Sequence, residues 1–337
     1  MAFRSGFLCI LGRPNAGKST LLNALVGEKI AIVSPKPQTT RNRIQGILNI
    51  PKRKGRPAAQ VILIDTPGVH KPDSALGRKM MHEVHAALEG SDLVLLIADA
   101  TLKPNPQDDS IIAMVKKSGT PAFLLLNKVD AAEKPALLPL MAHYSRKHEF
   151  AAILPISALK KEGLDELLDA VVRALPEAPH YFAADQITDQ PARFMVAEVI
   201  REQILMSAQQ EVPHATTVVI DQFEEGPRLT RIAATIFCER DGQKAILVGR
   251  AGAMLNKIGT AARLRAETML GTRIFLELFV KVTPGWRDSR QFVEEIDWRR
   301  QLEALTGARP IPALGKDTIP DTGNDFGEAA ADKPKRS

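Results

Sequence analysis

Short apolar runs alternate with helix-like stretches along the first half of the chain. The runs are Gly6–Leu11, Gln60–Ile64, Leu93–Ala98, Ala122–Leu126 and Ala152–Ile156. Continuous apolar runs of this length suit strands of a parallel sheet buried on both faces. Their alternation with helical segments predicts a doubly wound α/β domain over residues 1–176. Near its end, apolar residues at 164, 167, 168, 171, 172 and 175 mark one face of a helix. Residues 177–191, framed by Pro176, Pro179 and Pro191, read as a linker.

Beyond the linker the pattern changes. Phe194–Met206 predicts a helix, and Thr216–Gln222 and Leu229–Cys238 predict two strands joined by the turn Glu224–Pro227. Lys244–Leu270 reads as helix, glycine loop, helix, and Arg273–Val282 as a further strand. The order αββααβ defines a smaller α+β domain over 192–303, with Ser289–Leu302 as its last helix. In 304–337 Pro, Gly, Asp and Ala dominate and periodicity vanishes, which predicts a disordered tail.

Composition narrows the class. The chain has 337 residues, 45% hydrophobic and 25% charged, which fits a folded globular protein of about two domains. Two cysteines, Cys9 and Cys238, are too few for a disulfide framework or a four-cysteine zinc site, and both lie in strand-like runs. No apolar run approaches the roughly 18 residues of a membrane span. Phe7–Leu11 is too short for a signal-peptide core, so the chain is expected in the cytoplasm. The net charge of +6 is modest, but its distribution is uneven. Residues 29–64 hold eight basic residues and no acidic one, and residues 239–273 hold seven basic residues against three acidic ones.

The first strand is followed by Gly12-Arg13-Pro14-Asn15-Ala16-Gly17-Lys18-Ser19 and then by the helical run Thr20–Val26. This is a phosphate-binding loop in its required strand–loop–helix setting. Its glycines let backbone N–H groups close around a β-phosphate, and the helix N-terminus adds positive potential. Lys18 is placed to reach the β- and γ-phosphates, and Ser19 to ligate Mg²⁺. Asp65-Thr66-Pro67-Gly68 ends a buried strand, where the carboxylate suits the Mg²⁺ shell and Gly68 N–H the γ-phosphate. Asn127-Lys128-Val129-Asp130 ends another strand, and Asp130 can accept both guanine N1–H and N2–H₂, which adenine does not offer. Ser157-Ala158-Leu159 can supply a backbone N–H to guanine O6. All four motifs fall at carboxyl ends of strands, where such sheets bind ligands. Together they predict a guanine-nucleotide domain.

Thr39 and Thr40 lie in a loop between the phosphate-loop helix and the Asp65 strand. One of them is expected on Mg²⁺ and the γ-phosphate, and with Gly68 they are the switch candidates. Spacing does not choose between them. The residue after Gly68, where many GTPases place a water-orienting Gln, is Val69, so unaided hydrolysis should be slow. Asn15 is a candidate ligand for a monovalent cation such as K⁺. His70, His82 and His85 read as surface or switch-helix residues.

In the second domain, Gly249-Arg250-Ala251-Gly252 joins two helical runs. A Gly-x-x-Gly loop carrying a cation lets a sugar–phosphate backbone approach closely. With Lys257 and Arg263 in the same basic stretch, these residues are the candidate RNA-binding set. Aromatic residues are only 5% of the chain, so apolar groove contacts should outweigh stacking.

These motifs, with Pro37-Gln38-Thr39-Thr40-Arg41-Asn42-Arg43-Ile44, the linker residues 179–182 and 185–188, and Val280–Trp286, closely resemble the bacterial Era family of GTPases. The resemblance covers residues 5 to about 303. It implies a GTPase domain followed by a type II KH domain. It also implies GTP and GDP as ligands, binding to the 3′ end of 16S rRNA and a role in 30S subunit assembly. A monomer with peripheral contact to the inner membrane is implied as well. The basic run Lys52-Arg53-Lys54-Gly55-Arg56 either adds rRNA contacts or forms a solvated hairpin tip. Ala16 stands where Val is common in that family. A related tRNA-modification GTPase would carry an N-terminal folate-binding domain and a functional C-terminal cysteine, and a double-GTPase factor would carry a second phosphate loop. A single-stranded RNA-binding module with a merely regulatory nucleotide site conflicts with the intact Lys18, Ser19, Asp65 and Asp130. A membrane-signalling GTPase conflicts with the mixed charge of 289–302.

Overall fold

The computed structural model describes residues 2–208 and 211–306. The first half runs β1 (Arg4–Gly12), α1 (Lys18–Val26), β2 (Ile44–Ile50), β3 (Ala59–Asp65), α2 (Ala75–Glu89), β4 (Leu93–Asp99), α3 (Pro106–Ser118), β5 (Ala122–Asn127), α4 (Lys134–Ser145), β6 (Ala152–Pro155) and α5 (Leu164–Ala174). Its strands form one sheet in the order β2-β3-β1-β4-β5-β6. All neighbours are parallel except β2, which runs antiparallel to β3. This edge strand was not apparent as an apolar run. Its sequence, Ile-Gln-Gly-Ile-Leu-Asn-Ile, neither alternates cleanly nor stays continuously apolar.

The two faces of β1 explain why its sequence is apolar throughout. Leu8 and Ile10 pack with Leu21, Leu22 and Leu25 of α1 and Leu167 and Val171 of α5. Phe7, Cys9 and Leu11 pack on the other face with residues of α2, α3 and α4. Burying a Leu or Ile side chain contributes about 1.5–3 kcal/mol, so the doubly covered strands anchor the domain. Cys9 and Cys238 are both buried and free. The α3 helix shows how local sequence sets its ends. Asn105 caps it, Asp108 completes a capping box, Pro106 opens it and Gly119 closes it at φ 68°.

The linker does not swing free. Gln60, fully buried in β3, accepts through Oε1 from the N–H groups of Tyr181 and Phe182 at 2.8 and 3.0 Å. Ile47 N–H of β2 donates to Ile187 O at 2.8 Å. The basic run 52–56 is a hairpin tip closed by paired Arg53 and Arg56 backbones. Both arginines also bond Asp169 of α5, Arg56 at 3.0 Å, while Lys52 and Lys54 stay exposed.

The second half runs α6 (Ala192–Ser207), β7 (Thr217–Glu224), β8 (Leu229–Cys238), α7 (Asp241–Val248), a 3₁₀ turn (Arg250–Gly252), α8 (Ala253–Leu270) and β9 (Arg273–Val282). The αββααβ order is as expected. Strands pair β7-β8-β9, antiparallel then parallel, and α6, α7 and α8 share a core with the sheet. The expected last helix is two helices, α9 (Arg290–Glu295) and α10 (Trp298–Thr306). Asp297 breaks it, because its side chain caps Arg299 N–H at 2.9 Å and pairs with Lys79 of α2 at 2.6 Å. Residues 304–306 of the expected tail therefore close α10, and 307–337 lie outside the described residues.

The halves meet along one seam. Ala75, Leu76 and Met80 of α2 pack with Trp286 and Val293. Glu83 of α2 bonds Arg299 at 2.8 Å.

Candidate functional site

The turn from β1 into α1 places the phosphate loop at the carboxyl edge of the sheet. Gly17 sits at φ 103°, and a Cβ there would lie 2.2 Å from Asn127 Nδ2, so both backbone and space demand glycine. Asn127 ties two motifs together. Its Nδ2 donates to Ala16 O at 2.8 Å, and its Oδ1 accepts from Ala158 N–H at 2.9 Å. Arg13 is held away from the loop's mouth, with Nε 3.1 Å from Asp108 of α3.

Lys18 is buried, and its Nζ donates to the carbonyls of Gly12 and Arg13 at 3.2 and 2.9 Å. Burial lowers its pKa to about 8, against the opposing pull of Asp65. A phosphate arriving beside it would restore the favoured charged form. Ser19 Oγ donates to Asp65 Oδ2 at 2.6 Å and lies 2.8 Å from Thr40 Oγ1, which itself reaches Asp65 Oδ2 at 3.2 Å. Asp65 Oδ1 is buried without a partner of good geometry. Burial raises the Asp65 pKa to about 6, although Lys18, Ser19 and Thr40 oppose the shift. A cluster of two hydroxyls and an underpartnered carboxylate suits a hard cation with oxygen ligands. The structure thus brings Thr40, not Thr39, to this cluster. Thr39 Oγ1 bonds Ser34 Oγ and Lys36 O instead, both at 2.7 Å.

The cavity over the loop has a volume of about 590 Å³. Pro14, Asn15, Gly17, Lys18, Ser19 and Thr20 line one side, with Gly68 and Lys128 nearby. The wall opposite comes from the segment 32–40, and from Met206 of α6, which is a contribution of the second half. Gly68 passes so close to Pro14 that a Cβ would meet the Pro14 ring at 2.8 Å. Val69 is buried and its carbonyl accepts from Gln107 of α3, so no side chain there orients water. Thr66 Oγ1 donates to Ile10 O at 2.7 Å, fixing the bend through Pro67. Asn15 Nδ2 donates to Pro35 O at 2.8 Å. Lys128, at φ 68°, pairs with Asp99 at 2.6 Å, while Asp130 and Leu159 are exposed. Ser157 Oγ accepts from Lys160 N–H, which shapes the last loop. His82 and His85 are exposed on α2, and His70 Nδ1 lies 2.9 Å from Gly68 O.

The Gly249–Gly252 loop has three residues at positive φ, Gly249 at 72°, Ala251 at 49° and Gly252 at 80°. Its Arg250 and Ala251 are exposed. A cavity of about 360 Å³ continues from Gly252 along α8 and β9, lined by Leu255, Asn256, Thr260, Arg263, Leu276 and Leu278. Gly259 lets α8 approach Leu278 closely. Arg263 is braced by Glu267 at 2.9 Å. Lys257 is exposed on α8 and does not line this groove. The groove's apolar floor was expected only in general terms, because the α8–β9 register that pairs Leu255 with Leu276 and Leu278 is a tertiary fact.

Residues 7–128 match the model of the 50S ribosome-binding GTPase family, and residues 211–287 match the KH domain. The chain is 48% identical to the GTPase Era of Geobacter metallireducens, over 88% of this chain and 98% of that protein. The chain belongs to the Era family of GTPases. The Era GTPase of Ruminiclostridium cellulolyticum is 45% identical over 89% of this chain and 99% of its own length. A solved Era structure from Aquifex aeolicus, bound to GDP and AlF₄⁻, superposes with a TM-score of 0.83 at 39% identity, covering 87% of this chain and 99% of that one. An Era complex with MgGDPNP and nucleotides 1506–1542 of 16S ribosomal RNA gives 0.84 at 39% identity, covering 88% and 99%. As an Era GTPase, the protein hydrolyses GTP and pairs its nucleotide domain with a KH domain. Among the described residues no helix is long and apolar enough to cross a membrane.

Proposed function

We propose that this Era GTPase uses its nucleotide site to control the grip of its KH groove on the single-stranded 3′ end of 16S rRNA during 30S subunit assembly. The observation that carries the reading is the bonding of the switch segment to α6 and to the residues just before β7. Arg41 donates to Thr216 O at 2.6 Å and His214 O at 2.9 Å, Lys29 pairs with Glu202 at 2.7 Å, and Arg201 donates to Thr39 O. The same segment carries Thr40 into the Ser19–Asp65 cluster. One short stretch therefore joins the nucleotide cluster to α6, the helix that packs against α8 of the KH groove, and the Era complex holding a GTP analogue and 16S rRNA together supports the same pairing.

In this reading Lys18 and the N–H groups of residues 12–20 hold the phosphates. Ser19, Thr40 and Asp65 hold Mg²⁺, which supplies charge neutralisation at the β- and γ-phosphates when bound. Asn127, Lys128, Asp130 and Ala158 read the guanine. Asn15 offers its Oδ1 to K⁺. Gly68 N–H contacts the γ-phosphate, and loss of that phosphate releases Gly68 and, through Thr40, the switch segment. Gly249, Arg250, Ala251 and Gly252 hold the RNA backbone, with Lys257 and Arg263 adding charge. The protein works as a cytoplasmic monomer, and vesicle flotation tests its peripheral contact with the inner membrane.

The deciding experiment is fluorescence anisotropy of a labelled 16S 3′-end oligonucleotide with the full chain. An Arg250→Glu, Ala251→Asp double variant should lose at least about tenfold in affinity while GTP hydrolysis persists, because both side chains are exposed. Equal binding of the double variant, or of an unrelated single strand, sinks the rRNA assignment.

A further inference from the structure

The three-stranded sheet of the KH half has one face on α6, α7 and α8, where Ile220, Ile232, Ala234, Ile236 and Ile274 are buried. The opposite face carries the alternate residues of the strands. On β8 and β9 the register sets Arg231 beside Phe275, Ala233 beside Glu277, Thr235 beside Phe279 and Phe237 beside Lys281. Phe275, Glu277 and Phe279 therefore stand in one row on the outward face. Phe275 is 47% exposed and Phe279 56%. Among the described residues they are the two exposed aromatic side chains.

The surroundings of the two rings are polar and mostly basic. The Arg231 guanidinium lies 5.8 Å from the centre of the Phe275 ring, and Lys281 Nζ lies 5.9 Å from that of Phe237. Arg273 opens the same row and is exposed. Against these three cations β8 and β9 set one carboxylate on this face, Glu277. The acidic residues Asp221 and Glu224 belong to β7, the far strand, where they accept from the Thr235 hydroxyl at 2.7 Å and the Gln222 amide at 2.6 Å. Cores of protein–protein interfaces are depleted in charge, whereas surfaces that hold unpaired nucleic acid combine cations with aromatic rings. β9 is also the edge strand of the sheet, and its Leu276 and Leu278 line the groove beside the Gly249–Gly252 loop. One strand thus presents the groove on one face and the two rings on the other.

We propose that the outward face of β8 and β9 is a second RNA-binding surface, which takes unpaired bases by stacking on Phe275 and Phe279. The rings are four residues apart along one strand, about 13 Å, so each has room for its own base. Stacking of this kind accepts any base, since every base has a π-face. Arg231, Arg273 and Lys281 meet the phosphates, and Glu277, between the rings, offers acceptor oxygens to base amino groups. A strand that leaves the groove across the β9 edge passes onto this face. The surface rests on the RNA-binding function proposed above, but it uses none of the groove's residues.

The test uses the full chain with Mg²⁺ and GDPNP, and a labelled 16S 3′-end oligonucleotide of about 25 nucleotides, longer than one groove covers. Anisotropy gives the affinity. Phe275→Ala with Phe279→Ala should weaken binding about tenfold or more, and so should the pair of Leu substitutions, which keeps apolar bulk without a ring. The pair of Tyr substitutions should stay within about twofold of the parent. The Ala and Leu pairs should unfold within about 2 °C of the parent, because the rings stand in water. An oligonucleotide of about six nucleotides, which the groove alone can hold, should bind the parent and the Ala pair alike. Undiminished binding of the long oligonucleotide by the Ala pair, while the Arg250→Glu, Ala251→Asp variant loses it, overturns this surface and leaves the groove standing. Undiminished binding by both variants overturns the RNA-binding function as well. A base-paired RNA that depends equally on the two rings overturns the stacking of unpaired bases. A dimer of the parent that the Ala pair disperses assigns the face to a second copy of the chain instead.

Discussion

Glu202, buried on α6, accepts the backbone N–H of Val33 at 2.9 Å. Its other carboxylate oxygen takes Lys29 at 2.7 Å, so one side chain from the KH half holds two points of the switch segment. Charge-assisted hydrogen bonds of this kind contribute about 1.5–3 kcal/mol each. Glu202→Ala should therefore loosen the segment without touching nucleotide or RNA. The expected result is a three- to tenfold narrowing of the difference in RNA affinity between the GTP-analogue and GDP forms. Glu202→Gln, which keeps an acceptor for Val33, should fall between. Anisotropy titrations in both nucleotide states measure this.

The buried carboxylate of Asp65 sets a pH signature in the nucleotide-free protein. Its pKa is about 6 in the folded chain, against 3.8 ordinarily. Between those values the folded state holds a proton that the unfolded state releases. Stability from this group is thus fully present below about pH 4 and is lost as pH rises through about 6, by roughly 3 kcal/mol. Asp65→Asn removes the ionisation. The unfolding midpoint of the variant, relative to the parent, should climb between pH 4.5 and 6.5 and then level off. A constant offset across that range would contradict the burial argument.

What the sequence disclosed, and what it withheld, divides by range of interaction. The phosphate loop, the Gly-x-x-Gly turn and the bounds of β9 depend on neighbouring residues, and they were legible. The choice of Thr40 over Thr39 depends on Asp65, 25 residues away, and on the bonding of Thr39 to Ser34. The β2 strand was hidden because Gly46 interrupts its apolar pattern. A side chain at that position would meet Leu22, Val26 and Ile30 at under 3 Å. The packing of the linker stayed hidden because nothing local announces Gln60 as its anchor. Met206 reaches the nucleotide cavity from the other half, and no spacing rule predicts that.

Base selectivity should rest on Asp130. A carboxylate accepts from both N1–H and the exocyclic amine of guanine, and Asn cannot do both. Asp130→Asn should lower GTP affinity by about 10- to 100-fold, the loss of one or two charge-assisted bonds. Xanthosine triphosphate, with a carbonyl in place of the amine, should bind the variant better than GTP does. Competition against a fluorescent GDP analogue ranks the two. Unchanged preference for GTP would move the base-reading role elsewhere.

Hydrolysis poses the remaining chemical question, because buried Val69 cannot position water. Charge near the phosphates must then be met in another way. Asn15, at φ 63° in the phosphate loop, spends its Nδ2 on Pro35 O and leaves its Oδ1 as a ligand atom. A cation of K⁺ size between that oxygen and the phosphates would offset developing negative charge, as an arginine does in other GTPases. Single-turnover hydrolysis should accordingly run about tenfold or more faster in K⁺ than in Na⁺ at equal ionic strength. Asn15→Asp keeps the oxygen and should keep much of the K⁺ effect, whereas Asn15→Ala should abolish it while GDP affinity changes little. Identical rates in the two salts would leave Asn15 as a loop-shaping residue bonded to Pro35 and nothing more.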